Sequence, residues 1–151
     1  MSDFTLESMA AHLGALAVEM HEIEQHALTK AGEIVKEEVV SEFGTYQGAA
    51  GPFAAWAPLK QATIDRKATG DSPLLETGEL RDSIGVIITE HEAHIGSNED
   101  KAVWQELGTD KIPPRSFLGG GAVRATPDVL KAIGGELHGF LIGGGSVKSI
   151  E

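Results

Sequence analysis

The chain has 151 residues, about the length of one ordinary globular domain, and 41% of them are hydrophobic. It contains no cysteine, which excludes disulfides and thiolate metal sites and fits a reducing cytoplasm. The net charge of −11 argues against a nucleic-acid-binding surface, and no apolar run reaches the roughly 20 residues that a membrane-spanning helix needs. The excess of acidic residues either keeps the protein soluble or lines a channel that repels DNA.

The N-terminal segment is predicted to be one long helix, from about Phe4 to Phe43. Its apolar residues follow alternating steps of three and four, which is a heptad seam: Leu6, Met9, Leu13, Leu16, Met20, Ile23 and Ala27. About forty helical residues span about 60 Å, whereas a compact domain of this size has a radius of gyration of about 15 Å. The helix is therefore expected to break near Gly32 or to rest its apolar stripe on another subunit.

The middle of the chain is predicted to hold loops, short helices and one hairpin. In chain order these are a mobile loop over 44–55, a short helix ending at Lys67, one or two helical turns over 76–83, strands over 84–89 and 93–96, a helix over 101–107 and an edge strand over 115–118. The last helix is predicted to begin at Thr126, with Pro127 in its first turn, and to end at the glycines 143–145. The glycines 119–121 then form a linker or hinge.

These elements predict an α+β fold. A long N-terminal helix and a small, mostly antiparallel β-sheet pack against two or three further helices. The expected organisation is an N-terminal helix or arm over 1–43, an α+β core domain over 44–142 and a flexible C-terminal tail over 143–151.

No side chains are spaced as a known active site. His21 and His26 are five residues apart, so on a helix they point about 140° away from each other and cannot share one metal ion. His91 and His94 are three apart at a hairpin, which places them on opposite faces. Neither triple-glycine run is followed by the Lys-Ser or Lys-Thr of a phosphate loop. We therefore expect no enzyme, no cofactor and no metal, with a metal-dependent hydrolase using histidines and carboxylates as the less favoured alternative.

Four short motifs follow one another between residues 56 and 118. The first is Trp56-Ala57-Pro58-Leu59, followed by Thr63-Ile64-Asp65-Arg66-Lys67. The others are Leu74, Thr77, Gly78, Leu80, Ser83 and Ile84; then Trp104, Glu106, Gly108 and Thr109; then Ile112, Pro113, Arg115, Phe117 and Leu118. In this order the motifs resemble the virion-morphogenesis (tail-completion) family of tailed bacteriophages. The glycines 119–121 depart from that pattern, because the family has a shorter path into its last helix.

The resemblance implies a structural virion protein at the head–tail junction rather than an enzyme. It implies a homo-oligomeric ring, a hexamer, that joins the head connector or portal adaptor to the tail tube or tail terminator. The protein would lie in the neck or tail of the virion, and in the host cytoplasm during assembly. DNA would pass only as cargo, without sequence-specific contact, and no membrane would be involved. A tail terminator or head-closure ring is the alternative within the same class.

The motif residues also have physical roles that do not depend on the family. Gly78 and Gly108 suit backbone positions of positive φ. Arg81 and Arg115 are expected to bridge to carboxylates such as Glu106, within or between subunits. The expected core contacts between hairpin and helices are Leu74, Leu80, Ile84, Trp104 and Phe117. The complete set, expected to maintain the fold or to contact neighbouring copies, is Trp56, Leu59, Leu74, Thr77, Gly78, Leu80, Arg81, Ser83, Trp104, Glu106, Gly108, Thr109, Pro113, Arg115 and Phe117.

Overall fold

The computed structural model describes residues 5–143, and its architecture is α+β, as the sequence predicts. In chain order the elements are α1 (Leu6–Ser41), α2 (Gln61–Arg66), α3 (Glu79–Asp82), β1 (Gly85–Ile88), β2 (Ala93–Gly96), α4 (Asp100–Leu107) and α5 (Leu118–Gly143). The two strands form the predicted antiparallel hairpin, in which Gly85 pairs with Gly96 and Ile88 pairs with Ala93. The predicted C-terminal tail from residue 144 onwards lies outside the described residues.

The first helix, α1, is continuous over 36 residues and therefore about 54 Å long. Thr5 caps its start, since its side chain accepts a hydrogen bond from the backbone N–H of Ser8. Gly32 does not break the helix. It lets the hairpin approach, because a Cβ at Gly32 would lie only 2.7 Å from Cγ1 of Val86. The helix thus extends beyond the core rather than breaking at this glycine.

The hydrophobic core lies at the C-terminal end of α1. Its buried residues are Val39, Phe43, Trp56, Leu80, Ile84, Ala102 and Phe117. Phe117 is fully buried, and its ring meets Phe43 edge-on with the centroids 5.4 Å apart, a favourable arrangement of two aromatic rings. The core therefore joins the end of α1 to the central elements and to the start of α5.

The two long helices, α1 and α5, pack antiparallel. At one end Gly121 lies against Val39, so closely that a Cβ on the glycine would be 2.7 Å from Cγ2 of the valine. At the other end, Lys30 Nζ lies 2.9 Å from a carboxylate oxygen of Glu136. The pair of helices forms the rigid frame on which the hairpin and the short elements are placed.

The predicted start of the last helix is wrong. The helix α5 begins at Leu118 rather than Thr126, so residues 115–118 form no edge strand and Pro127 lies inside the helix. The glycines 119–121 belong to the first turns of α5 and are not a linker. They allow close packing: a Cβ at Gly119 would meet the ring of Phe53. The early start follows from a distant side chain, Glu106, that satisfies the first amides of α5.

Candidate interaction surfaces

Glu106 organises the beginning of α5. One of its carboxylate oxygens accepts hydrogen bonds from the backbone N–H groups of Phe117 and Leu118, each at 2.9 Å. The other accepts from the N–H of Gly119 at 2.9 Å and from the hydroxyl of Ser116 at 2.5 Å. A carboxylate here satisfies amides that have no partner within the helix and opposes the positive end of the helix dipole. Glu106 therefore ties α4 to α5.

Arg115 pairs with no carboxylate within residues 5–143, so the predicted bridge is not made inside the described chain. Arg115 is only 5% exposed, and its Nε and Nη2 donate to the carbonyl oxygen of Ala57 at 3.1 and 2.9 Å. Burial lowers the pKa of its guanidinium. Arg115 thus holds the Trp-x-Pro-Leu segment by backbone contacts and keeps a charge that the described chain does not neutralise.

The other predicted arginine, Arg81, also does not reach Glu106. It lies on the surface, where its Nε is 2.8 Å from the carboxylate of its neighbour Asp82. Nearby, the hydroxyls of Ser83 and Ser97 are 2.6 Å apart and join the end of α3 to the end of the hairpin. These contacts join residues that are near one another in the fold and do not involve Glu106.

The two predicted positive-φ glycines are confirmed. Gly78 has φ 86° and caps α3, and Gly108 has φ 75° at the end of α4. A side chain at Gly108 would meet backbone, since a Cβ would lie 2.8 Å from the nitrogen of Pro114. Thr109 closes the following turn, because its hydroxyl accepts from the N–H of Ile112 at 3.1 Å. Pro113 is exposed beside this turn.

Trp104 does not lie in the core, contrary to the prediction, but is 50% exposed. Leu74 packs only partly against the core and has φ 60°, unusual for a residue with a branched side chain. Leu80 and Phe117 are buried, as predicted. The exposed face of Trp104 and the side of Leu74 line a surface cleft instead.

Seven of the predicted site residues converge on this cleft, which has a volume of about 260 Å³. They are Leu59, Leu74, Thr77, Gly78, Leu80, Trp104 and Arg115. The remaining lining residues are Thr63, Lys67, Glu76, Glu79, Lys101 and Gln105. We call this surface the motif cleft. Of the other predicted residues, Trp56 and Phe117 are buried in the core and Glu106 joins α4 to α5, whereas Arg81 and Pro113 lie at the surface.

The motif cleft carries three cations and two carboxylates, in a chain whose net charge is −11. Lys101 is paired with Glu79 at 3.1 Å. Lys67 donates a hydrogen bond to a backbone carbonyl oxygen. Burial lowers the pKa of Lys67, the carboxylate of Glu76 opposes this shift, and the positive charge of Arg115 adds to it. The cleft therefore holds two partly desolvated cations, Lys67 and Arg115, close enough to repel each other.

A second surface is the N-terminal part of α1, residues 5–22, which we call the arm. Nearly all of its side chains are exposed, including Leu6 at 92%, Leu13 at 58% and Met20 at 50%. The arm contains Glu7, Glu19 and Glu22 but no lysine or arginine. It is thus a projecting helix with an apolar stripe and only negative formal charges.

Comparisons with known protein families, with curated proteins and with solved structures found no match to this chain.

Four of the histidines lie beside carboxylates. His91 and His21 approach the same carboxylate, that of Glu24, at 2.9 and 4.0 Å. His94 lies 3.0 Å from Glu92, and His26 lies 3.1 Å from Glu136. Within residues 5–143 no group of three or more potential ligands is placed to hold a metal ion. None of the described helices is both long and apolar enough to cross a membrane.

Sequence reasoning missed one buried carboxyl group and its contact with an arginine. Glu42 is 1% exposed, and its carboxylate lies 2.5 Å from Nη1 of Arg124. Burial raises the pKa of Glu42 to about 7, although Arg124 opposes the shift. The contact between Glu42 and Arg124 could not be predicted because the last helix was expected to begin at Thr126. That start left Arg124 outside the helix that faces α1.

Proposed function

We propose that this chain is a structural protein of a tailed bacteriophage that forms a ring at the neck and joins the head connector to the tail. The observation that carries the proposal is the arm, an apolar helical stripe that the described part of the chain leaves in water. The four ordered motifs between residues 56 and 118, which resemble the tail-completion family, support the same function.

The exposed stripe favours assembly on energetic grounds. Burying a leucine or methionine side chain fully contributes roughly 1.5–3 kcal/mol, and Leu6, Leu13 and Met20 are each at least half exposed. Because the arm projects beyond the core of its own chain, its apolar side chains can be buried against another chain. Identical chains that contact one another through two different surfaces close into a ring when the rotation between them fits.

The charge of the chain suits a ring through which DNA passes. A protein binds duplex DNA by placing lysine and arginine against phosphates, and this chain has 12 basic residues against 23 acidic ones. An acidic wall repels the duplex and lets it slide without adhering. DNA is then cargo, as the resemblance implies, and the bound partners are the head connector on one face and the tail on the other.

Two measurements test this function. Sedimentation and electron microscopy of the purified chain, alone and mixed with its connector and tail partners, are expected to show a hexameric ring with a central channel. Antibody labelling of particles is expected to place the chain between the portal and the tail. A chain that stays monomeric with every partner, or label absent from particles, contradicts the proposal. Label at the tail-tube end alone identifies a tail terminator instead.

A further inference from the structure

We propose that the arm of one copy binds in the motif cleft of the next copy, so that the ring is built head to tail. An arm carboxylate then meets Lys67 and Arg115, and arm side chains of the apolar stripe pack against the exposed face of Trp104. This inference rests on the proposed function only in requiring that copies of the chain assemble with one another.

The two surfaces are complementary in charge. Arg115 lines the cleft, its Nε and Nη2 donate to backbone carbonyl oxygens, and within residues 5–143 no carboxylate pairs with it. A largely desolvated cation without a counter-ion gains from a carboxylate that is brought to it. The arm supplies carboxylates, from Glu7 at its tip to Glu22 at its base, and residues 5–22 contain no lysine or arginine.

The two surfaces are also complementary in shape and polarity. Trp104 and Leu74 form apolar walls of the cleft, next to its cations. At the tip of the arm Leu6 and Glu7 are adjacent, so one turn of helix offers an apolar side chain together with a carboxylate. A volume of about 260 Å³ accommodates side chains of this kind, but not a whole helix. The arm therefore lies across the cleft and inserts side chains into it.

One chain cannot make this contact with itself. Leu80, which lines the cleft, packs in the core with Val39 near the C-terminal end of α1. Along the continuous α1, Leu13 lies about 39 Å from Val39 at 1.5 Å per residue. The arm and the cleft thus stand at opposite ends of a rigid helix. Only a second copy can bring them together, and the contact is of the heterologous kind that generates rings.

A bundle of arms is the competing arrangement, and charge disfavours it. Each arm carries Glu7, Glu19 and Glu22, so arms packed side by side bring like charges together. With Leu6 at position a of the heptad, Glu19 falls at position g, beside the interface of such a bundle. Residues 5–22 contain no lysine or arginine to offset this repulsion.

A mixing experiment with two variants tests the inference. The arm variant carries Leu6→Gln and Leu13→Gln, and the cleft variant carries Lys67→Gln and Trp104→Gln. None of the four side chains is fully buried, and glutamine is a good helix former, so circular dichroism is expected to match that of the native chain. Each variant alone is expected to self-associate at least tenfold more weakly than the native chain.

The mixture is the decisive measurement. The arm variant retains an intact cleft, and the cleft variant retains an intact arm, so the two together can make one contact. Sedimentation velocity is expected to show a heterodimer of twice the 15.9 kDa chain mass, and no larger species. A mixture that stays monomeric, or a cleft variant that assembles like the native chain, overturns the inference.

The absence of cysteine provides a second measurement. Oxidation of a Leu6→Cys, Thr63→Cys variant is expected to link copies covalently into a ladder, because Thr63 lines the cleft. The control, Leu6→Cys with Lys131→Cys on the exposed side of α5, is expected to give no ladder. A ladder in the control but not in the cleft variant overturns the head-to-tail contact and leaves the proposed ring standing. A chain that joins no assembly with any neck partner defeats the proposed function itself.

Discussion

Truncating Glu106 tests whether a single side chain fixes where α5 begins. Its carboxylate accepts hydrogen bonds from three consecutive backbone amides and from the Ser116 hydroxyl. Glu106→Ala removes all four and leaves the amides of the first turn without their protein acceptor. Glu106→Gln keeps one oxygen but turns an NH₂ group towards donors. We expect both variants to fold, with the first turn of α5 frayed.

The expected destabilisation follows from the hydrogen bonds and the charge that Glu106→Ala removes. Removing a helix cap costs roughly 0.5–2 kcal/mol, and removing a favourable charge at the helix N-terminus adds roughly 0.3–2 kcal/mol. Since Glu106 caps three amides and is half-buried, we expect Glu106→Ala to lower the free energy of unfolding by about 3 kcal/mol. Glu106→Gln should cost about half as much. For a domain of this size, about 3 kcal/mol lowers Tm by roughly 6–12 °C.

Thermal and urea denaturation followed by circular dichroism measures these decreases in stability. The matched controls are Asp110→Ala and Asp110→Asn. They make the same changes of charge at an exposed carboxylate that has no hydrogen bond or ion pair within residues 5–143. The controls should leave Tm unchanged. If Glu106→Ala unfolds within about 0.5 kcal/mol of the native chain, the capping account of α5 is refuted.

Three further predictions concern packing, titration and backbone strain. Gly121→Ala should destabilise the chain by roughly 1–3 kcal/mol, because its Cβ would lie 2.7 Å from Val39. Gly134 has open space around it, so Gly134→Ala should stabilise α5 by up to about 1 kcal/mol. Chemical denaturation measures both changes in the free energy of unfolding. Between pH 4.5 and 7 the unfolded state releases the Glu42 proton while the folded state keeps it, so the free energy of unfolding should fall by about 3 kcal/mol as pH rises. In denaturation at a series of pH values, Glu42→Gln should abolish this dependence of stability on pH. Gly108→Ala should lower the free energy of unfolding by more than about 2 kcal/mol or prevent folding, because φ is 75° and the added Cβ would meet backbone. Tm and soluble yield measure the effect. An unchanged Tm would contradict the inference that a side chain at this position is strained.

Local patterns accounted for much of the fold. A run rich in β-branched residues over 84–89 predicted the first strand of the hairpin, and β2 begins and ends where predicted, at Ala93 and Gly96. The heptad steps marked α1, and glycine after the short helix marked its end at Gly108. These features depend on residues within a few positions of one another, which is why the sequence alone revealed them.

Features that depend on distant residues were not predicted. The start of α5 is set by Glu106, ten or more residues earlier in the sequence. The helix-capping pattern at Thr126 therefore predicted the wrong start for this helix. Trp104 was predicted to lie in the core, yet which face of a short helix is covered depends on tertiary packing. The convergence of the motif residues on one cleft likewise requires the folded arrangement, because no spacing along the chain shows that Leu59 and Trp104 share a wall.

The unbroken α1 has a mechanical consequence. A single rigid rod joins the buried Val39 to the solvent-exposed Leu6, with Gly32 packed rather than free to bend. From Ile23 to Val39 the helix is held by the hairpin and α5, through contacts such as Glu24–His91 and Lys30–Glu136. About 25 Å of helix projects beyond Ile23, so a tilt of about 5° there displaces the tip by about 2 Å. A small repacking at the hairpin contact is therefore magnified at the exposed end of α1.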